Sequence, residues 1–424
     1  MQTSATGSHG SRRVIRRALL AFTAVAQLGV AGCKDLLTVE LPTRVADAAL
    51  DDPALATVLV QGAVADFECA LANYSTATGL LTDELIDATG WIAVTMWDQR
   101  RILPNNDNLG SAGCTTLGYG VYTPLQTARF QAADVARRIK GFSDAAVPTK
   151  STLLATAAAI EGYSITLLGE GFCEIAIDDG PGLARAQSLA LAEVKFTEAI
   201  ALATSANNSA LLNLARVGRA RVRLDLGKLA EAAADADAVP SGFVYNATYS
   251  ATNDRRRNRL FFDSQTNLYL SVDPRYRNLT VSGVPDNRVA VTNAGRNGHD
   301  GITPLWLQQK YPSDAANIAI ASWREARLIS AEVKGGAAAV SAINELRTAS
   351  NLPPFASVDP AAIQAQVLEE RRRELFLTGH RLNDMLRLNR AFDTGTTFKG
   401  VPYGSTTCLP LPDAERLSNP NFTT

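Results

Sequence analysis

The residues of this chain best suited to chemistry are aromatic rings interleaved with charged side chains, in two stretches. Tyr74, Trp91, Trp97, Asp98 and Arg100 make up the first, and Arg288 and Trp306 belong to the second. Such rings stack on flat ligand faces, and the charged groups bond hydroxyls or amides at the rim. A large ring is equally suited to burial in a core, so each of these side chains carries two readings. Bond-making chemistry is harder to find. Asp83 and Glu84 are adjacent acids, whereas a glycoside-cleaving pair stands about 5 to 10 Å apart across a cleft; neighbours in sequence brace a helix as readily. Among the histidines, His9 falls in the leader, His299 has no nucleophile to serve, and His380 sits in a Gly-His-Arg corner suited to packing. The chain has no phosphate-binding P-loop, dinucleotide glycine motif, His-Glu-x-x-His helix or Gly-x-Ser-x-Gly elbow. The expectation is a binding protein and no enzyme, without cofactor or metal.

Those side chains need a frame, and the pattern around them is helical. Leu125, Ala128, Ala132, Val135 and Ile139 share one face of a helix that Gly141 closes. Thr123 to Gln126 reads as a capping box at its start. Further helices are predicted over Leu153 to Leu168, Leu189 to Ala203, Leu211 to Leu226 and Leu229 to Ala238. Leu226-Gly227, the small residues Ala232 to Ala236, and Pro240 fit the tetratricopeptide pattern of a helix pair ending in proline, with an insertion at about Phe172 to Gln187. Trp323 to Val333 and Ala338 to Arg347 form another pair, so repeats cover about 123–240 and 320–350. Asp52-Pro53 opens an earlier helix expected to end near Phe67. Residues 68–120 and 241–319 lack this periodicity, and short strands are predicted over Phe243 to Tyr249, Asn267 to Val272 and Arg288 to Val291. The predicted fold is mostly α: tetratricopeptide-like helix pairs form a scaffold, and a loop-rich face with short strands rests on it.

The N-terminus reads as an export signal. Ser11 to Arg17 is basic, and Ala18 to Gly32 is apolar but short for a membrane span. Val30-Ala31-Gly32-Cys33 resembles the bacterial lipobox, which predicts a signal over residues 1–32, a lipid on Cys33 and a mature chain of 33–424. Ser11-Arg12-Arg13 leaves twin-arginine export open beside the general secretory route. No other apolar run near 18 residues stands out, so the mature chain is expected to be anchored by its lipid and not to span. Cys69, Cys114, Cys173 and Cys408 remain, an even number in an exported chain; two disulfides are expected, with three possible pairings. A net charge of -1 argues against a nucleic-acid partner.

The most specific stretch lies near the C-terminus. Ala361 to Phe376 reads as a helix, Gly379 breaks it, and His380 to Leu388 starts another with Leu382, Met385 and Leu386 inward. The run Glu370 to Arg387 (ERRRELFLTGHRLNDMLR) resembles the signature of the SusD/RagB family of outer-membrane nutrient-binding lipoproteins. Trp323 to Val333 followed by Ala342 to Arg347, and Leu409 to Asn421 (LPLPDAERLSNPN), resemble two further family segments in the same order. The likeness is dense over roughly the last quarter of the chain, including the C-terminal region 361–424. It implies a single SusD-like domain on the cell surface, lipid-anchored to the outer membrane. That domain would capture a glycan or peptide for a TonB-dependent, SusC-like transporter, using loops away from the repeats. Glu370, Arg371, Glu374, Gly379, His380 and Arg381 are expected to be structural, since buried Arg/Glu pairs fix packing register. Two other functions fit the residues: a tetratricopeptide-type scaffold that binds a protein partner and no small ligand, or an exported glycosidase. Glycan binding separates the first from the family reading, and reducing-sugar release would identify the second.

Overall fold

The computed structural model describes residues 47–110, 113–114 and 119–422. The N-terminal stretch contributes a short turn at Asp47–Leu50 and is a unit of its own; from Pro53 onward the chain forms the main body. The leader and Cys33 lie outside the described residues.

The first long helix, α1 (Ala56–Leu81), runs well past the expected end near Phe67. Glu68, Asn73, Ser75, Thr76 and Thr78 interrupt its apolar pattern, yet all are buried. They are tolerated because most find partners. Thr76 and Thr78 donate to carbonyls one turn back, at 2.8 and 2.7 Å. Asn73 donates to the Gly120 carbonyl, and Glu68 accepts from the backbone and hydroxyl of Thr248 and from Arg256. Polar residues here mark burial with a partner, and the expected loop at 68–81 is a core helix.

The repeat helices follow as α2 (Tyr122–Gly141), α3 (Lys150–Gly171), α4 (Arg185–Ser205), α5 (Ser209–Asp225) and α6 (Leu229–Asp237). Each packs on the one before it, and α2 on α1. Their alanine faces allow this close stacking, and Phe196 and Tyr163 meet edge to face between α3 and α4. A short ladder, Glu174–Ile175 with Leu183–Ala184, fills the predicted insertion. The capping box at Thr123 does not form: the helix begins one residue earlier, the Thr123 hydroxyl donates to the Gly110 carbonyl, and Gln126 donates to Tyr122 and Ala176. After the loop-rich block come α7 (Trp323–Lys334), which packs on α6, then α8 (Gly336–Thr348), α9 (Pro360–Glu374) and α10 (Arg381–Arg387). The loop-rich block carries antiparallel two-stranded ladders, and Asn287–Val289 in the predicted third strand is a 3-10 turn instead. Two helices, Pro53–Leu81 and α3, are long and apolar enough to cross a membrane, which the sequence expectation of no further apolar run missed; most of α3 is buried within this fold.

The C-terminal signature is an ion-pair corner. Glu370, fully buried, accepts from Arg288 at 2.5 Å and Arg347 at 2.7 Å. Arg288 is also held by both Asp286 oxygens, at 2.9 and 2.7 Å, and lies 3.5 Å from Glu374. Arg371 donates to Asp384, His380 faces Glu325, and Arg381 grips Asp83 of the loop after α1 through both oxygens. Gly379 turns the chain with φ +81, and a Cβ there would lie 3.0 Å from Tyr74 and Ser75 of α1, so no other residue fits the corner without strain. Disulfides join Cys69 to Cys114 and Cys173 to Cys408. Backbone bonds from Cys173 to Leu409 and from Leu409 to Gly171 seat the second bridge on the end of α3.

Five of the candidate ligand-binding residues lie inside this framework, which corrects their assignment. Tyr74 and Trp97 are fully buried, the one in α1 and the other in the short helix Ile92–Asp98. Arg100 lies over the rings of Phe392 and Tyr403, and Arg288 belongs to the corner. Asp98 is buried, and that burial, with the charge of Asp87 beside it, pushes its carboxyl up to about 8. Glu84, buried and accepting from the Leu377 backbone, is likewise pushed up, to about 7.

Two predictions follow from these buried groups. Glu370→Ala leaves Arg288 and Arg347 without their shared acid and should cost about 3 to 5 kcal/mol. Glu374→Ala should cost less, because Arg288 keeps Glu370 and Asp286. Chemical denaturation measures both, and a Glu370→Ala loss no larger than that of Glu374→Ala would refute the assignment. For Asp98 the folded pKa exceeds the unfolded one, so its contribution is complete below about pH 4 and is lost as the pH rises through about 8. Asp98→Asn should therefore show a shallower fall in melting temperature across that window than the wild type. Parallel melting curves would rule this out.

Candidate ligand-binding site

Of the two remaining candidates, Trp91 and Trp306, Trp91 stands where three segments of the loop-rich face converge. Strand β1 (Leu85–Asp87) pairs antiparallel with β2 (Leu270–Val272). The hairpin of β3 (Val291–Asn297) and β4 (Pro304–Gln308) is tied to β2 through Ser271, whose hydroxyl donates to Pro304 and accepts from the Trp306 backbone. Beyond the paired strands the backbone bonding continues. Ala88 donates to Tyr269, Asp300 to Ala88, and His299 to Leu268, at 2.8, 3.0 and 3.0 Å. Gly298 permits the approach, since a Cβ there would come within 2.5 Å of the Ala88 side chain. Leu268 holds a positive φ of 59, an unfavourable conformation for a branched side chain.

This stitching sets three rings side by side. Trp91 and Tyr269 have centroids 6.1 Å apart, and His299 meets Tyr269 edge-on at 5.2 Å. Thr89, Gly90, Trp91, Tyr269, His299 and Asp300 line an open cleft of about 590 Å³. Trp91 and Tyr269 are half-buried, and His299 is exposed. Ile92, next to Trp91, and Ile302, two residues beyond Asp300, are exposed as well.

Lys399 braces the floor, donating to Asp87 at 2.6 Å, lying 2.8 Å from Asp300, and donating to the Thr89 carbonyl. Burial raises the Asp300 carboxyl, but hydrogen bonds from Lys399, from Thr303 and from the Ile302 and Thr303 N–H groups outweigh it and bring it down to about 2. The acid is thus ionised at neutral pH. The arrangement offers flat apolar faces above a floor whose acids are already tied to Lys399 and Thr303, suited to stacking on a flat ligand face. Among the described residues no group of histidines, cysteines and acids could hold a metal ion.

Trp306 lies on β4 with the Arg277 guanidinium 5.0 Å over its ring, and does not line the cleft. Tyr269 and His299 line it although the sequence assigns neither a ligand-binding role. Tyr269 lies within a stretch predicted as strand, and His299 in a Gly/Asn-rich turn; the usable signal is an aromatic residue at a strand end beside turn-forming residues. A second open cleft, about 570 Å³, borders α2, but there Arg129 is committed to Asp178 and Tyr122 packs edge-on against Phe172.

No family model and no curated protein matches the chain by sequence. Solved structures do match in three dimensions. A SusD superfamily protein from Bacteroides vulgatus aligns with TM-score 0.69 and 17% identity over 88% of this chain and 100% of its own. A SusD-like carbohydrate-binding protein from the same species aligns at 0.65 and 15%, over 87% and 97%. The surface glycan-binding protein A of Bacteroides thetaiotaomicron, solved in complex with laminarihexaose, aligns at 0.65 and 13%, over 86% and 98%. Helix pairs, loop-rich face and C-terminal corner together make this chain a SusD-like fold.

Proposed function

We propose that this chain is a nutrient-binding lipoprotein of the SusD/RagB type, which captures an oligosaccharide in the Trp91–Tyr269–His299 cleft and passes it to a TonB-dependent outer-membrane transporter. The observation that carries the reading is the cleft itself, with three aromatic rings fixed by backbone bonds on an open face. A rigid frame means that little ordering entropy is lost when a sugar ring stacks. The complex of a protein of the same fold with laminarihexaose supports an oligosaccharide over a peptide. The absence of a motif for hydrolysis, together with the commitment of Asp83 to Arg381, favours binding without cleavage. The SusC-like partner, the outer-membrane location and the anchor on Cys33 follow from the family reading and from the lipobox.

Trp91→Ala and Tyr269→Ala are the direct test, with calorimetry against a glycan panel. Each variant, checked for retained folding, should lose more than about 1 kcal/mol of binding to a glycan the wild type holds. Trp306→Ala should lose less. Wild-type affinity in both cleft variants would move the site elsewhere, and reducing-sugar release by the wild type would make the chain an enzyme. For the anchor, mass spectrometry of membrane-extracted protein should find a diacylglyceryl group on Cys33. Cys33→Ser should then abolish membrane retention, and an unmodified mature terminus at another residue would refute it.

A further inference from the structure

A cavity of about 260 Å³ opens between α9 and the segment Arg381 to Arg390, sharing no residue with the aromatic cleft. Around it stand Arg371, Arg372, Arg381 and Arg390 against two acids, Glu369 and Asp384. Both acids are already divided. Glu369 holds Arg372 at 2.7 Å and Arg373 at 2.6 Å, while Asp384 holds Arg371 at 2.8 Å and Arg387 at 2.9 Å. Arg381 is occupied by Asp83.

Two donors are left over. Arg371 is almost wholly buried, and its Nη1 meets no acceptor of the protein. Arg390 is exposed and makes no ion pair among the described residues. A buried donor without an acceptor is costly, and of the arginines named here Arg390 alone has no acid paired with it, since Asp83, Asp286 and Glu332 supplement Glu369 and Asp384. Guanidinium forks match the oxygens of carboxylate, sulfate and phosphate.

We propose that this cavity binds a small oxyanion, either free or as the acidic substituent of a saccharide. Arg390 is its exposed arm, and Arg371 Nη1, which has almost no accessible surface in this structure, becomes a second donor once its guanidinium turns toward the anion. Arg372 and Arg381, held by their own acids, form fixed positive walls. The site does not depend on the aromatic cleft, and loss of either leaves the other intact.

The test is calorimetric titration and thermal melting of the full chain with sodium sulfate, sodium phosphate and sodium glucuronate, against sodium chloride at equal ionic strength. At least one oxyanion should give a saturable rise in melting temperature that chloride does not. Arg390→Gln should weaken that binding about tenfold, and Arg390→Glu should abolish it. Arg416→Gln, at another exposed arginine, should leave it unchanged. Sulfate also stabilises proteins by exclusion from their surface, and that general effect would persist in Arg390→Glu. Sulfate or phosphate as the preferred anion points to a free ion or an ester, and glucuronate to an acidic saccharide. A rise with every salt alike, or one retained in full by Arg390→Glu, would overturn the proposal.

Discussion

Glu370, without solvent contact between Arg288 and Arg347, is the point on which the architecture turns. Taking a carboxylate and two guanidiniums out of water is unfavourable unless every partner arrives in good geometry. Apolar alanine faces, such as those between the repeat helices, tolerate small slides, whereas a shared carboxylate does not. The corner therefore sets the register between α9, the turn at Asn287–Val289 and the end of α8. Arg381 and Asp83 extend the same logic to the loop that follows α1. That loop leads directly into β1, so the corner helps fix the edge on which the aromatic cleft is built.

The cleft shows how a site is made from backbone as much as from side chains. Its rings come from segments far apart in sequence, and main-chain bonds between Ala88, Leu268, Tyr269, His299 and Asp300 bring them together. Lys399 adds a tie from a fourth segment. Preorganisation of this kind lowers the entropic loss of binding, and the positive φ at Leu268 fits the tendency of strained backbone to gather at binding sites.

Much of the scaffold was legible in the sequence because its helices from α2 onward keep a regular apolar period, with boundaries within a few residues of those observed. Helix α1 was not, since the polar residues from Glu68 to Thr78 mimic a loop until their tertiary partners are known. The same blindness misplaced Tyr74 and Trp97, whose types suit a ligand face but whose positions on buried helices put them in the core. The corner reads as structural in the sequence because buried Arg/Glu pairs fix packing register. Its true partners, Arg288, Arg347, Asp384 and Asp83, were not legible, because ion pairs across tens to hundreds of residues leave no local pattern. Tyr269 and His299 were not read as ligand-binding for a related reason: only tertiary pairing sets them beside Trp91.

Helix α1 has a consequence for the order in which the molecule assembles. Its Asn73 and Glu68 are satisfied by Gly120, Thr248 and Arg256, and its end is packed by the corner at Gly379. The contact from Asp83 to Arg381 spans 298 residues, and loops of that size close slowly compared with the helix-on-helix contacts of the repeats. Repeat helices can zip together early from neighbour to neighbour, with α1 against α2 and α3, while the C-terminal end of α1 waits for residues near the end of the chain. Glu68 and Asn73, on different faces of the helix, lack the partners that satisfy them until Gly120, Thr248 and Arg256 are in place. The last contacts to close are thus those between the end of α1 and the corner, the longest in sequence separation that α1 makes.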